Sequence, residues 1–262
     1  MDFHDIIYTK DQGIATITLN QPRLLNAFTA LMGQEWIAAM QDAKEDHSVR
    51  VIMFTGAGRA FCAGGNPRQL LASREYYRKA QEPEFLIDTA GITRLFLDMD
   101  KPFIGVINGP CVGGGMELAN LCDFRIASNQ ARFSMAFVRM GEIPFSIGCY
   151  MLPRIVGLPM ALELLCTGRF FDAEEALRIG YVNHVVRQEE LMPTAMELAT
   201  QIARGPYSIK IIKRLTYRCL DMDIEQAFVA HRQNVILACS TEDALEGPRA
   251  WLEKREPIFQ WK

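Results

Sequence analysis

The sequence predicts an α/β fold that ends in a helical region. Residues 14–19 and 51–55 are short runs rich in apolar and β-branched residues, which is typical of strands. Residues 29–43 lie between them and repeat apolar side chains at helical spacing. Strands alternate with helices in this way through residue 187, and residues 188–254 then have the pattern of consecutive helices.

The remaining elements follow in order along the chain. Apolar runs predict further strands at residues 103–107, 124–127 and 132–136. Helical spacing predicts C-terminal helices over residues 189–204, 208–220 and 224–238. Ser240 is expected to cap the start of one more helix before Asp243. We therefore place an α/β core at residues 1–200 and a helical region at residues 201–262.

Composition narrows the class of protein. The 262 residues and the 49% hydrophobic content are sufficient for a substantial core. A formal net charge of −3, from 28 basic and 31 acidic residues, gives no overall attraction to nucleic acid or to an anionic membrane. Seven cysteines without a Cys-x-x-Cys pair indicate free thiols in a reducing compartment. With no basic leader and no apolar run that spans a bilayer, we expect a soluble cytoplasmic protein.

A glycine-rich segment leads from the predicted strand at 103–107 into a helix-like stretch. Gly113, Gly114 and Gly115 are followed two residues later by Glu117. Glycine lets the backbone approach a ligand closely, and the first amides of a helix have no internal partner. The segment therefore has the composition of a cradle for a developing oxyanion beside a carboxylate. Phosphate sites and plain turns show similar patterns.

A second small-residue bend follows the predicted strand at 51–55. Residues 60–67 read Ala-Phe-Cys-Ala-Gly-Gly-Asn-Pro. Together the two bends suggest a pair of backbone donors that converge on one oxygen. Cys62 and Cys111 flank these bends, and we expect them to pack in the interior rather than act as nucleophiles.

With these two bends the chain resembles the crotonase superfamily, also called the enoyl-CoA hydratase/isomerase family. The resemblance covers nearly the whole length and rests on the order and spacing of short motifs. They are Asn20-Gln21-Pro22, Asn26-Ala27, residues 60–65, residues 108–119, Cys122-Asp123, Gly141, Pro144, residues 152–157, residues 165–168 and residues 250–255. The resemblance implies a spiral of ββα units, with a C-terminal helical region that packs against neighbouring subunits in a homotrimer or a dimer of trimers.

The resemblance also implies an acyl-CoA thioester substrate and assigns roles at the two bends. The amides of Gly65 and Gly114 form the oxyanion hole, where donors aimed at the thioester oxygen selectively stabilise an enolate. Glu117 matches one of the two catalytic glutamates of the hydratases and would act as acid/base. The plainer alternatives are an ordinary loop glycine for Gly65 and a dipole-stabilising glutamate for Glu117.

The sequence departs from the family pattern at the second acid. Phe137 stands twenty residues after Glu117, where hydratases carry another glutamate, and Phe145 follows the Gly-x-x-Pro turn, where many isomerases place an acid. Glu142 in that turn is a candidate substitute carboxylate, although it matches no acid of the family, and the alternative is a surface glutamate. Two aromatic residues in place of acids favour a hydrophobic or cyclic acyl group, with Phe137 and Phe145 as pocket walls.

For the coenzyme, the resemblance implies contacts from the residues that follow Asn20-Gln21-Pro22, from the first glycine bend and from the C-terminal end of the chain. The residues are Arg23, Leu24, Ala63, Gly65, Asn66, Pro67, Trp251 and Lys254. Trp251 and Lys254 match positions that often reach the coenzyme of a neighbouring subunit, and the alternatives are a core tryptophan and a solvated charge. No cofactor beyond the coenzyme A of the substrate is implied, and four scattered histidines give no metal-ligand spacing.

The leading hypothesis is an enoyl-CoA hydratase-like lyase in which Gly65 and Gly114 hold the thioester oxygen and Glu117 handles water and proton. The missing second acid leaves other crotonase-type reactions open, namely decarboxylation, isomerisation and hydrolysis of an acyl-CoA. It also leaves open an acyl-CoA-binding protein without activity. RNA binding is not expected, because the charges are balanced and there is no clear basic and aromatic strip.

Overall fold

A computed structural model of the chain describes residues 2–66, 70–71, 74–75 and 89–262. Pro67, a predicted coenzyme contact, lies outside the described residues. The strands are β1 (Ile6–Asp11), β2 (Ile14–Leu19), β3 (Val51–Gly56), β4 (Phe103–Ile107), β5 (Cys111–Val112), β6 (Phe124–Ser128), β7 (Arg132–Ser134), β8 (Phe171–Asp172) and β9 (His184–Val186).

Helices alternate with these strands and then follow one another at the C-terminal end. They are α1 (Ala30–Glu45), α2 (Thr89–Leu97), α3 (Gly114–Leu121), α4 (Gly148–Val156), α5 (Leu158–Thr167), α6 (Ala173–Arg178), α7 (Leu191–Ala203), α8 (Ser208–Cys219), α9 (Ile224–Cys239) and α10 (Asp243–Glu253). Short 3₁₀ helices occur at Pro22–Leu24, Ala136–Met140 and Gln188–Glu190. The predicted α/β class is therefore confirmed for the described residues.

The main sheet has six strands in the order β1-β2-β3-β4-β6-β9. Strand β1 pairs antiparallel with β2, and the other neighbours run parallel. Every residue of β3 and β4 is buried, so these strands are continuous apolar runs that the sequence reveals directly. Most residues of strand β1 are exposed and two are charged, so no apolar pattern in the sequence predicts this strand. A second sheet joins β5, β7 and β8.

Helices cover both faces of the main sheet. Ile52 and Phe54 of β3 pack with α1 and α2 on one face, where the rings of Trp36 and Phe96 lie 5.3 Å apart. Val51 and Met53 belong to a second cluster with residues of α7. Alternate side chains of a strand point to opposite faces, so β3 supplies both clusters.

One predicted helix start is wrong. Helix α9 continues to Cys239, so Ser240 lies at its C-terminal end, where the hydroxyl donates to the carbonyl of Leu237 at 2.8 Å. The hydroxyl that accepts a bond at the start of the next helix is that of Thr241, from the amide of Ala244 at 3.2 Å. The predicted strand at 132–136 also ends early, at Ser134, because a 3₁₀ helix begins at Ala136.

Helix α9 lies on the surface of the described chain. It contains no buried residue, and large apolar side chains such as Ile224, Phe228 and Ile236 are mostly exposed. In the part of the chain that the structure describes, no helix combines the length and the apolar character needed to cross a bilayer.

Candidate active site

The sheet topology brings the two glycine bends together. Strands β3 and β4 are parallel neighbours, so the chain leaves both at the same edge of the sheet. The bend after β3 then pairs with β5 through a bridge between Cys62 and Cys111, and the amide of Val112 donates to the carbonyl of Cys62 at 2.9 Å. The first bend is therefore held against the segment that leads into α3.

Glycine is required where the bends touch. Gly64 has a φ of +85°, and a β-carbon there would lie 2.7 Å from the carbonyl oxygen of Val112. The same β-carbon would lie 3.3 Å from the amide nitrogen of Gly114. A β-carbon on Gly115 would lie 2.3 Å from the carbonyl oxygen of Cys62. Such distances leave no room for a side chain, so the two bends approach each other as closely as backbone allows.

Two buried amide side chains hold the first bend in shape. The Asn26 side chain donates to the carbonyl of Ala60 at 2.8 Å. The Asn108 side chain donates to the carbonyls of Gly56 and Gly58 at 2.8 and 2.9 Å. Asn26 and Asn108 belong to motifs that carry the family resemblance, but nothing in their sequence pattern reveals this role.

The amides of Gly65 and Gly114 lie on the two touching bends. Gly114 is the first residue of α3, so its amide has no helical carbonyl partner. Among the backbone hydrogen bonds of the described residues, Gly65 donates none. Gly65 forms a bridge with Phe28, whose ring also lies beside Gly114, 3.5 Å from the position of a β-carbon there.

A cavity of about 470 Å³ opens beside these bends, within the range of small-molecule sites. Predicted site residues in its wall are Leu24, Ala63, Gly65, Asn66, Gly114, Glu117, Phe137, Glu142 and Phe145. Apolar residues such as Ile92, Leu118 and Leu121 make up most of the rest. The structure therefore brings both bends, the candidate acid and the two phenylalanines to one cavity.

The Glu117 carboxyl is buried in the cavity wall, with 6% of the residue exposed. Its oxygen Oε1 accepts from the amide of Ser146 at 3.0 Å and from that of Gly148 at 3.2 Å, and Oε2 accepts from Ser146 at 3.2 Å. Burial raises the pKa of Glu117 to about 7, against the opposing effect of the backbone amides of Ser146, Gly148 and Phe145, which favour the carboxylate. The group is thus poised to give or take a proton near neutral pH.

This elevated pKa predicts a pH-dependent stability difference between the parent protein and Glu117→Gln. The carboxyl titrates with a pKa of about 7 in the folded protein and 4.5 without that environment, so the folded state holds the proton longer as pH rises. The parent therefore loses stability between pH 4.5 and 7, and glutamine removes this loss. We expect the stability advantage of the variant to grow by about 3 kcal/mol across that range. Urea unfolding of both proteins at fixed concentration measures it, and a pH-independent difference would contradict the burial argument.

Sequence reasoning missed Ser146 and Gly148, whose amides hold the Glu117 carboxylate. A glycine at the start of a helix, the signal used for Gly114, also marks Gly148 at the start of α4. A β-carbon on Gly148 would lie 3.0 Å from Glu117 Oε1 and 2.9 Å from both Met135 Cε and Pro144 Cβ. The absence of a side chain there lets the carboxylate reach the helix amide.

Glu142 is not a free surface carboxylate. Its side chain is 14% exposed, lines the cavity and forms an ion pair with Arg74, whose Nε donates to Oε1 at 2.8 Å. Phe137 and Phe145 meet edge to face in the same wall, with ring centroids 5.4 Å apart. Their side chains place apolar surface at the positions where relatives were expected to carry acids.

Three further predicted coenzyme contacts, all among the described residues, do not line this cavity. Arg23 is exposed on the first 3₁₀ helix. Trp251 is 84% exposed, so it is not a core tryptophan in this chain. Lys254 is exposed and ends α10 in a left-handed conformation. Within one chain, none of these three lines the cavity next to Glu117.

The buried cysteines beside the bends are packing residues, as the sequence predicts. Cys62 and Cys111 are fully buried, and burial raises the pKa of the Cys62 thiol to about 12. A thiol with such a pKa is protonated at neutral pH and is a poor nucleophile. No group of His, Cys, Asp and Glu side chains in the described ranges is arranged to hold a metal ion.

Comparison with known proteins agrees with this geometry. The family model described as enoyl-CoA hydratase/isomerase matches residues 9–262. The chain belongs to this family. As a member of the crotonase superfamily, it is an enzyme of the hydratase/dehydratase type.

Family relatives match over almost the full length of the chain. Crotonyl-CoA hydratase from Syntrophomonas wolfei is 34% identical over 99% of both chains, and carnitinyl-CoA dehydratase from Escherichia coli K12 is 36% identical over 97% of both. The crystal structure of an enoyl-CoA hydratase from Bacillus anthracis superposes with a TM-score of 0.90 at 29% identity and covers 99% of this chain and 100% of that one. The crotonase fold is thus established for this family member.

Proposed function

We propose that the protein is an enoyl-CoA hydratase, which adds water to the double bond of an enoyl-CoA thioester or removes it in reverse. The observation that carries this proposal is the buried Glu117 carboxyl, with a pKa of about 7, in a cavity wall shared with the two touching glycine bends. The names of the relatives, a crotonyl-CoA hydratase and a carnitinyl-CoA dehydratase, support the same class of reaction.

In the proposed reaction, the amides of Gly65 and Gly114 bind the thioester oxygen. The Glu117 carboxylate takes a proton from water as the water oxygen attacks C3 of the acyl group. The electron pair of the double bond moves towards the thioester, and an enolate forms whose charge the two amides stabilise. Glu117 then returns the proton to C2. A single carboxyl group suffices for this sequence because it is regenerated in its ionised form.

We assign the coenzyme to the rim of the same cavity, beside Leu24, Ala63 and Asn66. In the proposed homotrimer, or dimer of trimers, Trp251 and Lys254 reach the coenzyme of a neighbouring subunit. Their exposure in one chain and the apolar surface of α9 support this arrangement. Addition of water transfers no electrons, so the reaction requires no cofactor beyond the coenzyme A of the substrate.

The acyl group that fits this site is hydrophobic or cyclic. Phe137 and Phe145 form one wall, and Ile92, Leu118 and Leu121 add aliphatic surface. Glu142 is engaged by Arg74, so its charge is already compensated. An apolar acyl group would remove this surface from water at a gain of about 25 cal/mol per Å².

A screen of acyl-CoA thioesters with mass detection tests the proposal. We expect crotonyl-CoA or a cyclic enoyl-CoA to give a product heavier by one water. Loss of carbon dioxide from a malonyl-type thioester would indicate a decarboxylase, free coenzyme A a hydrolase, and a rearranged product of equal mass an isomerase. Each of these, without hydration, would contradict the proposed reaction. Binding of thioesters without any product would indicate a non-catalytic acyl-CoA-binding protein.

A further inference from the structure

Ser146, in the turn that precedes α4, contacts both oxygens of the Glu117 carboxylate. The amide of Ser146 lies 3.0 Å from Oε1 and 3.2 Å from Oε2, so it contacts both oxygens of the group. Gly148 adds a single contact to Oε1 at 3.2 Å. A small movement of the Ser146 amide would therefore change its distances to both carboxylate oxygens at once.

The Ser146 side chain is tied to a different wall of the cavity. Its hydroxyl is hydrogen-bonded to the hydroxyl of Thr93, a residue of α2 that is 7% exposed. Helix α2 is itself fixed to the core, since the rings of Phe96 and Phe103 lie 4.3 Å apart. The hydroxyl pair thus joins the turn that holds Glu117 to a helix that packs against the core.

Simple packing does not require this pair. Thr93 is buried and Ser146 is partly buried, and such hydroxyl groups are costly to desolvate unless each is hydrogen-bonded, whereas aliphatic side chains of the same size would fill the space without that cost. The hydrogen bond adds direction, because it restricts the position of Ser146 relative to α2. The structure therefore contains a hydrogen bond between two hydroxyl groups in a largely apolar wall. One of the two residues, Ser146, also contacts the carboxylate.

We propose that Thr93 is a positioning residue for Glu117 and acts through Ser146. The Thr93 hydroxyl holds the Ser146 side chain, and the Ser146 amide then holds the carboxylate in line with the reacting water. This inference rests on the proposed role of Glu117 as acid/base. It adds a residue from α2, remote in sequence from both the glycine bends and the turn, to the machinery of the site.

Thr93→Val tests this assignment because valine keeps the shape of threonine and replaces only the hydroxyl with a methyl group. The amides of Ser146 and Gly148 favour the ionised carboxylate, so loss of their alignment raises the pKa of Glu117 further. We expect an upward shift of about half a pH unit or more in Thr93→Val and in Ser146→Ala, and parent-like behaviour in Thr93→Ser. Glu142 in the cavity wall and its ion-pair partner Arg74 are the same in every variant.

Two readouts follow the shift. Infrared titration of the free protein, with Glu117→Gln to assign the band, reports the carboxyl group without turnover. The pH profile of kcat/KM reports the same group during catalysis, and its rising limb should move by the same amount. Thr55→Val is the matched control, since Thr55 is also buried and its hydroxyl donates to Val106 at 3.0 Å, away from Glu117. It should lose stability without moving either titration.

The outcomes are distinct. Suppose that the parent is active but that neither titration shifts in Thr93→Val or in Ser146→Ala. That result would overturn the positioning role, even if the rate of these variants falls. Equal shifts in Thr55→Val would overturn it as well, because a general loss of stability would then explain the result. If the parent converts no thioester but the infrared titration of Glu117 is shifted in Thr93→Val, the hydratase proposal is refuted. The link from Thr93 to Glu117 is then preserved.

Discussion

Glu117→Gln is expected to lower turnover by a factor on the order of 100 or more, because general acid–base groups contribute at least that much. Glutamine has nearly the same shape and its carbonyl oxygen still accepts from the amides of Ser146 and Gly148, so the cavity wall is preserved. What is lost is the capacity to take and return a proton. Affinity for coenzyme A should remain close to that of the parent, as measured by titration calorimetry beside steady-state kinetics.

Glu142→Gln is the matched comparison, since Glu142 is a second carboxylate in the wall of the same cavity. If one carboxyl group serves both proton transfers, this variant loses far less turnover than Glu117→Gln. The expected defect of Glu142→Gln is the loss of the ion pair with Arg74. Equal losses in the two variants would instead assign catalysis to a pair of carboxylates, and parent-like turnover in Glu117→Gln would rule out the proposed mechanism.

Gly115→Ala is expected to reduce kcat/KM by about 100-fold, the effect of losing one oxyanion donor. A methyl group at residue 115 would lie 2.3 Å from the carbonyl oxygen of Cys62, so the start of α3 must move away from the first bend. The amides of Gly65 and Gly114 then no longer share one oxygen. Kinetics with the substrate found in the thioester screen measure the loss, and circular dichroism verifies the fold.

Gly247→Ala provides the control for this substitution. Gly247 also lies inside a helix, but the nearest atom to its β-carbon position is 3.9 Å away. Alanine should stabilise α10 by up to about 1 kcal/mol through its higher helix propensity and leave kcat/KM unchanged. A folded Gly115→Ala variant with the activity of the parent would show that contact between the bends is not needed for catalysis.

The central strands and the two bends could be predicted because their causes are local. Strands β3 and β4 are buried on both faces and therefore appear as unbroken apolar runs. Residue 64 must be glycine because of its left-handed backbone conformation, and residue 115 must be glycine because of a close backbone contact. Both requirements appear in the sequence as glycines. Strand β1 lacks such a mark, because its pairing with β2 places several of its side chains in water.

The partners of the candidate acid could not be predicted, since they come from distant parts of the chain. Backbone amides bind Glu117, and an amide contact depends on chain direction rather than on residue type. The pairing of Glu142 with Arg74 spans 68 positions and follows no short-range rule. Sequence alone therefore identified the two carboxylates but not the groups that bind them.

The touching bends also link activity to the order of refolding. Gly65 and Gly114 are 49 residues apart, and they meet only after β3 and β4 have formed a parallel pair, a contact that requires closure of a long stretch of chain. Neither bend belongs to a unit that would form its partner surface on its own. Recovery of turnover after dilution from denaturant therefore reports completion of the central sheet, whereas helix content can return earlier.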